Sequence, residues 1–138
     1  MKLSTFFSIL IIVAILTACE LVVIGSKVKK KEVVKIDRTS SIGVIYLFKS
    51  ELDSGNIYAA ASILADSSGN PFRPIEQYER YYDMSRMKRI VSNKNITDIK
   101  ADTISEKNHF YSLELNYLNK ISFMTEKLDT VWYIIQYE

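Results

Sequence analysis

Two residue types that do chemistry occur once each in this 138-residue chain, Cys19 and His109. A thiol can act as a nucleophile or soft metal ligand, and an imidazole as acid, base or ligand. His109 stands at the start of an expected strand, beside Lys107-Asn108, with no second histidine and no cysteine to join it. That excludes a thiol–His pair, a three-His zinc site and an HExxH site. A Ser/His/Asp triad has its residue types, but no serine sits in a nucleophile-elbow setting, so His109 is expected in an exposed turn. The four glycines, at 25, 43, 55 and 69, are too scattered to cradle a phosphate. No metal or cofactor site is expected.

Cys19 closes a distinct front end. Met1-Lys2-Leu3-Ser4-Thr5 carries one positive charge, Phe6 to Leu16 is apolar apart from Ser8, and small residues follow. This is the order of a secretory leader. Its last four residues, Leu16-Thr17-Ala18-Cys19, resemble the lipobox of bacterial lipoproteins. The resemblance implies a signal peptide over 1–18, cleavage before Cys19, and acylation of its thiol and new amino terminus. Several acyl chains give stable anchoring where one does not. The expected location is then the bacterial cell envelope, by lipid attachment, with inner or outer membrane left open. The rival is a single-pass inner-membrane anchor, because the apolar run resumes at Leu21-Val22-Val23-Ile24 and Phe6–Ile24 is long enough to span. Against it stand Thr17 and Glu20 inside the span and the sole cysteine at the one position a lipobox needs.

Residues 19–38 then read as a lipidated cysteine and a basic tether. Positions 27–38 hold six Lys or Arg against two Asp or Glu, whereas 39–138 hold eleven against thirteen. The overall charge of +2 thus conceals a basic stalk on a slightly acidic domain. Such a stalk can lie on anionic lipid. It does not suit nucleic acid, since the charge is not on a folded face. Val33, Val34 and Ile36 could instead pair as a short extended segment.

Residues 39–138 have the length of one domain. Thr39 or Ser40 can cap a helix in which Ile42, Ile45, Phe48 and Leu52 share one face. Gly55 suits a left-handed stop, and Asn56 can cap a second helix carrying Ile57, Ala60, Ala61 and Leu64. Asp66–Pro71 is a turn cluster. Pro74 fits the first position of a third helix running towards Ser92, with Ile75, Tyr78, Tyr82 and Arg86 along one side and Tyr81, Met84 and Met87 beside them. The cations Arg86, Lys88, Arg89 and Lys94 near its end complement the helix dipole. The period then drops to two. Strands are expected over Ile96–Ser105, Phe110–Leu118, Ile121–Glu126 and Thr130–Tyr137. In the last, Val131, Tyr133, Ile135 and Tyr137 fall on one side and Trp132, Ile134 and Gln136 on the other. Both sides are largely apolar, which predicts a central strand covered on both faces.

Helices followed by strands predict an α+β domain with N-terminal helices packed on a curved antiparallel sheet. The order of elements, the run Phe48-Lys49-Ser50-Glu51-Leu52-Asp53-Ser54-Gly55-Asn56-Ile57-Tyr58-Ala59-Ala60-Ala61-Ser62-Ile63-Leu64 and the closing Val131-Trp132-Tyr133-Ile134-Ile135 resemble the NTF2-like (SnoaL, ketosteroid isomerase) superfamily over about residues 40–137. The strand usual in that superfamily between the second and third helices has no clear counterpart in Ser67–Arg73. The resemblance implies a cone between helices and sheet. In its enzymes a buried carboxylate there is the general base, helped by Tyr or Asp donors. The groups available to such a cone include Asp53 and, as ligand-pocket candidates, Tyr46, Tyr78, Tyr82, Asp83 and Tyr111. None is forced inward by the pattern. The function expected is an envelope lipoprotein whose domain binds a small apolar ligand or a protein partner without catalysis. The rivals are a small isomerase, lyase or hydratase using one buried carboxylate, and a structural module that homodimerises through its sheet.

Overall fold

A computed structural model describes residues 33–138. Cys19, the leader and most of the basic tether lie outside the described residues. Helix α1 (Ser41–Ser54) starts where Ser40 Oγ accepts the Gly43 amide at 3.0 Å. It stops at Gly55, whose φ of 77° lets its own amide and that of Asn56 return to Leu52 and Glu51 carbonyls. Asn56 then caps the short α2 (Ile57–Ser62) by accepting the Ala59 amide. Both caps are where turn chemistry places them.

The expected third helix is two. Its first turn, α3 (Pro74–Glu79), begins with proline and a reciprocal Arg73–Glu76 clasp. Arg80, at φ −81° and ψ 3°, breaks the path before α4 (Tyr81–Val91). Met84, Met87 and Val91, three and four apart, are the buried stripe of α4, so the side carrying Ile75, Tyr78, Tyr82 and Arg86 faces outward.

Strands β1 (Ile96–Thr103), β2 (Asn108–Leu115), β3 (Asn119–Leu128) and β4 (Val131–Tyr137) form an antiparallel meander in the order β1-β2-β3-β4. Tyr111, Leu113, Leu115, Ile121, Phe123, Trp132 and Ile134 point to the helices and meet Val44, Ile45, Phe48, Leu52 and Met84. Phe48 packs edge-on to Phe123 at 5.9 Å. These observations establish an α+β architecture with helices on one face of an antiparallel sheet.

The last strand departs from its simple alternation. Thr125 pairs with Ile134 and Met124 with Gln136, leaving Ile135 as the extra residue of a bulge. The bulge shifts the alternation by one, so Tyr137 joins Ile134 and Trp132 on the helix side and stacks on Phe48 at 6.5 Å. Nor is β4 central. It is the sheet edge, and loops seal it: the Ala65 amide reaches the Ile134 carbonyl, the Ile134 amide reaches Ile63, and the Trp132 amide reaches Arg38. Leu64 pairs in parallel with Ile134, and Ala65 pairs with Pro71. A short hairpin-like element therefore occupies the stretch between α2 and α3. Val33 and Ile36 are exposed, and residues 33–36 form no strand. Further along, the Lys35 and Asp37 carbonyls lie so close to Gly43 that a Cβ there would clash.

Candidate functional site

The five sequence candidates do not converge. Tyr46 is half-buried on α1, and burial pushes its phenol up. Tyr78 and Tyr82 are 63% and 83% exposed, on the outer side of the helix layer rather than in a cone. Asp83 is exposed but borders a cleft described below. Tyr111 is buried and spoken for.

Its phenol lies 2.6 Å from Ser41 Oγ, which lies 2.6 Å from His109 Nδ1. Ser41 has one proton to give and two lone pairs, so it donates in at most one of these contacts and accepts in the other or in both. His109 is thus not an exposed turn residue. It is half-buried in β2, its ring 4.7 Å from that of Trp132, and the Thr125 hydroxyl donates to its carbonyl at 3.2 Å. A Ser–His contact suggests nucleophile and base, but Asp or Glu is not among the partners of either residue, and Ser41 is only 6% exposed. The trio is a polar clasp that fastens the start of α1 to β2.

The group that sequence reading missed is Tyr137. It borders three clefts, one small and two larger. One of the larger, about 300 Å³, runs along Leu64, Phe72, Arg80, Ile134 and Ile135. The other, about 370 Å³, is bordered by Asp83, Arg86, Met87, Ile90 and Glu138. Burial and the Asp83 carboxylate raise the Tyr137 phenol, and the Arg80 guanidinium works in the opposite direction. Arg80 lies 3.9 Å over the Phe72 ring and forms no ion pair among the described residues. The bulge at Ile135 hid this arrangement, because strict alternation sends Tyr137 to the far face.

A carboxylate base has no visible seat. No Asp or Glu among the described residues is buried, and the resolved shifts at Asp37, Asp53, Asp66 and Glu76 are all downward. At Asp53, burial opposes ionisation but the Lys49 ammonium and the Asn93 amide outweigh it. Among the described residues there is no cluster of three His, Cys, Asp or Glu suited to a metal, and no helix is long and apolar enough to cross a membrane. Compared with models of known protein families and with curated protein sequences, the chain matches none of either.

Proposed function

We propose that this chain is an envelope lipoprotein, acylated at Cys19, whose NTF2-like domain binds a small amphiphile without transforming it. The order of helices and meander, with a short paired element between α2 and α3 lying parallel to β4, supports the NTF2-like reading. The observation that carries the binding reading is Tyr137, one half-buried residue bordering the two larger clefts, with Arg80 lining the first of them and in no ion pair among the described residues. Apolar walls with a few convergent polar groups are what small-molecule sites are made of. Phe72, Ile135 and Ile90 offer surface to an apolar body, and Arg80 offers charge to an anionic head.

A 26–138 fragment retains every core residue found among the described residues. Titrating it with a dansyl-labelled medium-chain carboxylic acid should give saturable binding that Tyr137→Ala or Arg80→Ala weakens about tenfold, ~1.4 kcal/mol. Equal affinity in both variants would defeat the assignment. Anchoring is checked separately by palmitate incorporation in the full chain, which Cys19→Ser should abolish.

A further inference from the structure

Four tyrosines of the helix layer, Tyr58, Tyr78, Tyr81 and Tyr82, form a continuous outer strip. The Tyr58 ring lies 6.2 Å from that of Tyr78 and 5.8 Å from that of Tyr81, and Tyr81 meets Tyr82 edge-on at 5.9 Å. All four are exposed, as is Ile75 one turn before Tyr78. Large rings that touch one another outside the core form the kind of patch that marks an interaction surface. On α4 the strip continues in helical steps from Tyr82 to Arg86 and Arg89, both exposed. Residues 73–91 hold five Lys or Arg against three Asp or Glu, one of which, Glu76, is already clasped by Arg73 at 2.7 Å.

We infer that this strip is a lipid-docking face, with Tyr58, Ile75, Tyr78, Tyr81 and Tyr82 entering the headgroup layer of an anionic bilayer and Arg86 and Arg89 on its phosphates. Tyrosine suits that depth because its ring is apolar and its hydroxyl stays wet. Arginines beside it meet negative headgroups in the manner of amphipathic surface helices. A second copy fits less well, since a face-to-face pairing would oppose two net-positive strips. The inference rests on the anchoring proposed above, and the chain length allows it. Fourteen steps separate Cys19 from Val33, about 45 Å when extended. The longest described element, the ten-residue β3, spans about 33 Å, so the tether can bring any side of so small a domain to the membrane. Holding the domain that close makes even weak docking effective.

The test uses the full chain reconstituted in phosphatidylglycerol-rich vesicles, with or without bromine-labelled acyl chains. In wild type the only tryptophan, Trp132, is buried and supplies the baseline. Tyr82→Trp adds a reporter on the strip. The expected result is that both proteins float with the vesicles and that bromine removes most of the added emission while sparing the baseline. Arg86→Ser with Arg89→Ser should restore most of the lost signal. If the reporter protein floats but is not quenched, docking is wrong and anchoring stands. A spectral shift that follows protein concentration instead of bromine overturns docking in favour of self-association. If the full chain does not float at all, anchoring and docking fall together.

Discussion

Tyr111 and Tyr82 are the same residue type with opposite fates. Tyr111 is 7% exposed, and its hydroxyl finds Ser41 within 2.6 Å. Tyr82 is 83% exposed and meets the Tyr81 ring edge-on. A phenol is buried where a polar partner waits for its oxygen and excluded where none does. At the start of α1 the partner is a serine backed by an imidazole; on the outer side of α4 the neighbours are rings and guanidiniums. The first region is therefore read as fastening and the second as contact surface.

The largest test of that contrast is to truncate both. Tyr111→Ala should cost about 3 kcal/mol or more in urea unfolding, from lost packing and an unfilled cavity. Tyr82→Ala should stay within ~0.5 kcal/mol, as surface changes do. Comparable losses would erase the distinction. Next, Ser41→Ala keeps the packing but leaves the Tyr111 hydroxyl and His109 Nδ1 only each other, at 3.5 Å, and should cost about 1–3 kcal/mol. A neutral result would mean that water replaces the serine.

A smaller effect separates this clasp from the carboxylate contacts elsewhere. Hydrogen bonds from Lys35 and Thr39 hold the Asp37 carboxyl down at about 2, and Asp53, Asp66 and Glu76 are also lowered. Folded values below the unfolded ones mean that the native state binds fewer protons. That stabilisation is complete above the ordinary carboxylate range, near pH 4, and is lost as the pH falls towards about 2. Melting temperature should decline across that window, and Asp53→Asn should flatten part of the decline. An unchanged slope would show that Asp53, which ties the end of α1 to the Asn93 amide, contributes nothing there.

Local signals were legible in the sequence wherever one residue enforces one geometry. Ser40, Gly55, Asn56 and Pro74 each act as their side chain or ring dictates, and Ile45, Phe48 and Leu52 are buried as their spacing requires. What escaped had no such signature. The break at Arg80 carries neither glycine nor proline, because it is tertiary packing, with Arg80 over Phe72, that holds it. Apolar residues on both sides of β4 suggested a central strand; in the fold the second side is filled by Arg38 over Tyr133 at 4.0 Å and by the bulge. The candidate site was hardest to read. One extra residue moved Tyr137 into the clefts, and nine tyrosines offered no means of telling lining from packing from surface.

The sealed edge of β4 also dictates an order of events. Arg38 and Trp132 stand 94 positions apart, so the first described residues are pinned by nearly the last ones. Closing so long a loop carries its entropic cost before the bonds that offset it can form. A chain made from its amino end can wind α1 and α2 early, but it has nothing on which to fasten Arg38 until β4 arrives. Loss of residues 131–138 would therefore free the segment before α1 as well as the sheet edge, although the two lie at opposite ends of the described residues.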